Sequence, residues 1–177
     1  HQAMVTVKGV DDNITQQTHI SEILLGDGEF ELHAADMHYG ILGVRLAEAL
    51  GTGYRFQGPM KIYAPRREGQ LDMTSPEEGF VEDELFSPGV LFNVKQGKYD
   101  KGYILTSLGF ARRIFEQQGM VTSLELRLKA GSDFDHVKDQ IRLLCGDRFR
   151  VQDRFEQQDD TFKIMKIEKL IAYIFLT

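Results

Sequence analysis

The chain has 177 residues, 42% of them hydrophobic and 27% charged, with a net charge of −6 and an isoelectric point near 5.4. A chain of that size buries roughly 70% of the surface its unfolded form exposes, enough for one ordinary domain or two small lobes. The acidic balance argues against binding a phosphate backbone, which needs clustered Lys and Arg, and the single cysteine, Cys145, excludes an internal disulfide framework.

Residues 4–10 (MVTVKGV) alternate as a strand that ends at Gly9 and the turn-forming run Asp11, Asp12, Asn13. That strand pattern begins just after His1, with no signal peptide ahead of it, so the sequence reads as a segment of a longer chain. Residues 20–25 (ISEILL) are a short apolar stretch stopped by Gly26 and Gly28. Residues 36–50 (DMHYGILGVRLAEAL) predict a helix: Ile41, Leu42, Val44, Leu46 and Ala49 make a wide apolar stripe, Arg45 and Glu48 a wet side, and Gly51 a C-cap. Residues 59–64 (PMKIYA) and 89–94 (GVLFNV) predict strands. The stretch 65–88 has no clean period and carries two basic and seven acidic residues. A connection that long without regular structure is uncommon in a compact domain, which makes it a candidate contact loop.

The C-terminal half is the most regular. Residues 103–106 (YILT) predict a strand, and 108–118 a helix with Phe110, Ala111, Ile114 and Phe115 on one side. Residues 121–128 (VTSLELRL) alternate, Leu124, Leu126 and Leu128 against Glu125 and Arg127, which predicts a half-buried strand. A helix is expected at 134–145, N-capped by Ser132 or Asp133, with Phe134, Val137, Ile141 and Leu144 on its apolar face and Cys145 as an inert thiol beside them. Gly146 ends it, and 148–152 (RFRVQ) predict a last strand. The β-α-β-α-β order points to an α/β sandwich within the α+β class, with right-handed crossovers between parallel neighbours.

From Thr161 the chain reads TFKIMKIEKLIAYIFLT, and its charges stop at Lys169. Leu170, Ile171, Tyr173, Phe175 and Leu176 then leave no polar face beyond the Tyr173 hydroxyl. This run suits either a buried core element or the first turns of a transmembrane helix, since a span needs roughly 20 apolar residues. Tyr173 and the lysines at 163, 166 and 169 fit an interfacial belt.

No pattern in the sequence carries catalytic, cofactor or metal chemistry. His19, His33, His38 and His136 lack ligand spacing; His33 and His38, five apart, bracket the expected helix start, whereas ligands on one helical face want three or four. Gly26-x-Gly28 has neither the Lys nor the helix start of a phosphate loop. There is no Gly-x-Ser-x-Gly elbow. The acidic pairs and triplet (Asp11-Asp12, Glu82-Asp83-Glu84, Asp159-Asp160) lack a calcium loop's alternation and read as solvated turns.

Taken in series, VTVKGVDDN (5–13), GILGVRLAEALG (40–51), KYDKGYILTSLGFARRIFE (98–116) and DTFKIMKIEKLIAYIFLT (160–177) resemble segments of one family. These are the permease subunits of ABC transporters of the lipoprotein-releasing LolC/LolE type, within the broader MacB/FtsX-like permeases. In that family a Glu-Lys pair, here Glu168-Lys169, opens a transmembrane helix. The resemblance covers nearly the whole chain, apart from 65–88. It implies a two-lobed MacB-like periplasmic core domain lying between the first and second transmembrane helices. An α/β lobe would take residues 1–52 and 99–160, a smaller, mainly β lobe 53–98, and a stalk with the start of the second membrane helix 161–177.

The resemblance further implies a bacterial inner-membrane protein with this domain on the periplasmic side. Its partners would be a cytoplasmic ATPase subunit, a second permease subunit in a homo- or heterodimer, and a periplasmic carrier or outer-membrane component. The domain itself would not be an enzyme; it would couple ATP-driven helix movement to transfer of a lipoprotein or other apolar substrate. In lipoprotein-releasing permeases a loop from the β-rich part contacts the carrier, and 65–88 falls in that place. Arg66, Arg67, Leu71, Met73 and Phe80 are its candidate contact residues, although the apolar ones suit equally well a role in pinning the loop to its own lobe. The alternatives within the family are efflux of drugs or peptides, as in MacB, and an FtsX-like scaffold that activates a cell-wall hydrolase.

Overall fold

A computed structural model describes residues 1–67 and 79–157. It is a mixed α+β fold with several small sheets, and the chain divides into two compact units, His1–Glu125 and Leu126–Thr177.

The first unit is built on a five-stranded sheet in the order β1-β9-β5-β8-β2. Its strands are β1 (Thr6–Val10), β2 (Leu24–Gly26), β5 (Ile41–Gly43), β8 (Val90–Phe92) and β9 (Tyr103–Ser107). β1 runs parallel to β9 and β5 to β8, whereas β5–β9 and β2–β8 are antiparallel. A short hairpin, β3 (His33–Ala34) with β4 (Met37–His38), precedes β5, and β6 (Met60–Pro65) pairs antiparallel with β7 (Phe80–Leu85) as a separate two-stranded sheet.

Because side chains alternate across a strand, the central strands feed two cores. Leu42, Leu91 and Ile104 pack on one face with Leu46 and Ala47 of α2 (Val44–Leu50), Phe110 and Ile114 of α4 (Leu108–Ile114), and Ile62, Ala64 and Leu85 of the β6–β7 hairpin. Ile41, Val90, Phe92 and Leu105 point the other way, onto Val10, Ile20 and Leu32. That second face is covered by the segment holding α1 (Ile14–Gln17) and a 3-10 turn at Ile20–Ile23.

The expected strands at 4–10, 59–64, 89–94 and 103–106 are present. The helix expected over 36–50 is confined to Val44–Leu50, with Gly51 in the left-handed conformation (φ 71°) as its C-cap. Residues 37–38 and 41–43 are strands instead. Gly43 explains the switch: a Cβ there would lie 2.3 Å from the backbone oxygen of Asp100 in α3 (Gly97–Gly102), so the chain passes flat against another backbone as the last residue of a buried strand.

Within 65–88, Phe80–Leu85 is β7, so Glu82-Asp83-Glu84 belong to a ladder, not a solvated turn. Conversely, 121–128 forms no strand: no ladder partner takes up its alternation, and Leu124 and Leu126 are exposed. Residues 148–152 form no strand either; a 3-10 turn at Gly146–Arg148 runs into irregular chain.

The second unit holds α5 (Phe134–Cys145), N-capped by Asp133, whose carboxylate accepts from the His136 amide at 3.1 Å. Gly146 closes the helix as expected. No residue of α5 is fully buried: Val137, Ile141 and Cys145 are half-buried along one side, whereas Phe134 and Leu144, expected on the same apolar face, are exposed.

Candidate functional site

The first unit carries an open depression of about 480 Å³ where β4, β7 and α4 meet, lined by Asp36, His38, Glu82, Asp83, Glu84 and Arg113 together with Phe86. Each element delivers its residue for a local reason. The β3–β4 hairpin turns at Ala35, which adopts φ 49°, and brings His33 opposite His38. β4 is held against the chain after β7 by Phe86 N–H to the His38 carbonyl (2.8 Å) and Gly40 N–H to the Phe86 carbonyl (2.9 Å). Ser107, at the end of β9, caps α4 by accepting from the Phe110 amide at 3.2 Å. One turn further along, α4 presents Arg113.

These groups form a chain of contacts. Arg113 Nε donates to Asp83 Oδ2 at 2.6 Å, and its Nη1 lies 3.0 Å from His38 Nε2. His38 Nδ1 lies 2.9 Å from Ser107 Oγ. The Phe110 ring supports both side chains, with the Arg113 guanidinium carbon 5.6 Å and the His38 ring 5.7 Å from its centroid. A guanidinium only donates, so His38 Nε2 presents its lone pair to Arg113 and Nδ1 carries the proton that goes to Ser107. That tautomer makes the Ser107–His38 pair a helix cap with an anchored imidazole. A nucleophile and its base need the opposite polarity, with the imidazole lone pair facing the hydroxyl. Burial, and then the neighbouring Arg113 charge, hold the His38 pKa below its ordinary value.

A second charged cluster lies within Leu126–Thr177. Lys138 of α5 reaches Asp153 at 2.5 Å and Glu156 at 2.9 Å, and Arg142 reaches Glu156 at 3.0 Å. The Lys138 and Asp153 side chains are only 13% and 14% exposed. Asp153 also accepts from the Phe155 and Glu156 amides, both at 2.8 Å. Hydrogen bonds from Lys138 hold both carboxylates below their usual range, and the bond to Asp153 raises Lys138. The carboxylates' contribution to stability is therefore full above their unfolded pKa values and is lost as pH falls through the lowered ones.

The contact residues expected from sequence fall at the β6–β7 hairpin. Arg66 pairs with Glu116 at 3.1 Å, the Arg67 amide donates to the same carboxylate at 3.4 Å, and the Arg66 amide donates to the Gly79 carbonyl at 2.9 Å. Phe80 stands opposite Pro65 and is 40% exposed. Tyr63, which the sequence did not single out, is on the same hairpin and 55% exposed. Its only signal was the alternation of 59–64, which places it on the face opposite Ile62 and Ala64. Leu71 and Met73 lie outside the described residues, as do Lys169, Leu170, Ile171, Tyr173, Phe175 and Leu176.

The cluster of His38, Asp83, Ser107 and Arg113 left no trace in sequence spacing, because its members come from four elements. Among the described residues no group of three or more His, Cys, Asp or Glu side chains could hold a metal ion, and no helix is long and apolar enough to cross a membrane. No protein-family model matches the chain, and no curated protein matches it significantly.

Proposed function

We propose that this chain is the extracytoplasmic domain of an ABC transporter permease of the lipoprotein-releasing type, with a two-lobed MacB-like architecture and no catalytic role of its own. The observation that carries the reading is the β6–β7 hairpin. It is a two-stranded sheet separate from the five-stranded one, its surface carries exposed Tyr63 and Phe80, and it bears the stretch 65–88 that the resemblance likens to the carrier-contacting loop of such permeases. In this reading the hairpin is the smaller lobe, and β8 belongs with the α/β lobe whose sheet it joins. The ATPase is a separate cytoplasmic subunit and the permease works as a dimer. Movement of the membrane helices reaches the domain through the chain after Phe155, and the Lys138–Asp153–Glu156 clasp supports such a joint by tying the start of that chain to α5.

The test is site-specific photocrosslinking in cells, with a benzophenone amino acid at Phe80 of the full-length protein and a control probe at Tyr54, exposed outside the hairpin. Capture of a lipoprotein carrier or an outer-membrane component from Phe80, and not from Tyr54, is the expected result. Capture of a cell-wall hydrolase would replace transport by the scaffold reading, and no adduct specific to Phe80 would sink the contact role of the hairpin.

A further inference from the structure

We propose that His38 is a proton-operated latch that fastens strand β7, and with it the β6–β7 hairpin, to helix α4 at neutral pH and loosens it in acid. The inference rests on the geometry of the first unit alone and does not depend on the transport reading.

The imidazole is a bridge whose two ends are fixed in opposite senses. Nδ1–H donates into Ser107 Oγ, a buried hydroxyl that also accepts from the Phe110 amide, so Nδ1 already carries its hydrogen. Nε2 accepts from Arg113, whose Nε simultaneously holds Asp83 of β7. A proton can therefore be taken up only at Nε2, where it converts the acceptor into a donor. An N–H then faces an N–H across 3.0 Å, and two cations replace one. Arg113 must withdraw from the ring, and its grip on Asp83, the ion pair that ties α4 to β7 beside the buried packing of Leu85 on Phe110 and Ile114, moves with it.

The charged and titratable groups facing His38 are few. Arg113 of α4 opposes protonation, as does His33 across the β3–β4 hairpin. Asp83 of β7 and Asp36 of the hairpin turn favour it. Burial adds to the opposition, which places the transition below the ordinary histidine value of 6.5. With its folded pKa lowered, His38 contributes stability that is full above 6.5 and is lost as pH falls from there through the folded value.

The test is a histidine-detected NMR titration of the 177-residue chain from about pH 7.5 to 4.5, with His38→Gln to assign the signal and amide exchange read in parallel. At neutral pH the His38 ring shows the Nδ1–H tautomer, opposite to the free amino acid's preference. Its midpoint lies below the ordinary histidine value of 6.5, and Arg113→Gln moves it up. Exchange of the β7 amides accelerates several-fold through the His38 transition, while that of the β1 and β9 amides does not. His38→Gln abolishes this pH step in β7. An Nε2–H tautomer, a midpoint indifferent to Arg113→Gln, or β7 protection that ignores the transition would each overturn the latch. Arg113→Lys, which keeps the charge, guards against a folding defect in Arg113→Gln; it leaves the midpoint depressed if the latch is correct.

Discussion

In the five-stranded sheet Ile41, Leu42 and Ile104 are withdrawn from water on both faces, whereas α5, with an equally regular apolar spacing, leaves Val137 and Ile141 only half-buried and Leu144 87% exposed. Both patterns are real properties of the sequence. The sheet's pattern is answered by apolar groups from distant segments: Phe110 and Leu85 against one face, Ile20 and Leu32 against the other. Periodicity thus announces an apolar face, and only the partner surface turns that face into stability. Burial of an apolar side chain stabilises by roughly 1.5–3 kcal/mol, and the same side chain left in water contributes almost nothing.

The sharpest way to break this comparison is Phe110→Ala. The ring is fully buried, so its loss should cost about 3–5 kcal/mol in denaturant unfolding followed by a core-sensitive probe. A cost under about 1 kcal/mol would mean that the core is not where the packing places it. Gly43→Ala comes next, at about 1–3 kcal/mol, because the new methyl meets the Asp100 backbone instead of a yielding side-chain tip. An unchanged melting temperature would contradict the flat passage of β5 past α3. In the second unit, Asp133→Ala should cost about 1 kcal/mol, with exchange rising only at the first amides of α5. Leu144→Ala should change stability by less than about 0.5 kcal/mol; a larger loss would show that α5 is covered after all.

Much of the sheet was legible in the sequence, and its failures have physical causes. The strands at 4–10, 59–64, 89–94 and 103–106 carry apolar alternation or short apolar runs bounded by turn residues, and their neighbours honour it. Ile41–Gly43 was lost into a helix because a fully buried strand of three residues has no alternation, and the helix at Val44 follows without an intervening turn. β7 was hidden by its charges: Glu82 is neutralised across the ladder by Lys61, Asp83 by Arg113 from α4, and neither partner is near in sequence. The opposite error, a strand at 121–128, came from trusting alternation that no neighbouring strand completes. His33 and His38 bracket the helix start expected at 36, yet the turn at Ala35 carries no glycine or Asn-Gly signal to announce the hairpin that sets the two rings opposite each other.

The measurement that bears most directly on the proposed role is the membrane topology of the full-length protein. A compartment-sensitive reporter is fused after Lys169 and again about 25 residues downstream, a distance sufficient for one helical span. The transporter reading predicts that the first fusion reports from the periplasm and the second from the cytoplasm. Both fusions reporting from the same compartment would contradict it and would make the run from Leu170 to Leu176 an ordinary part of a folded core.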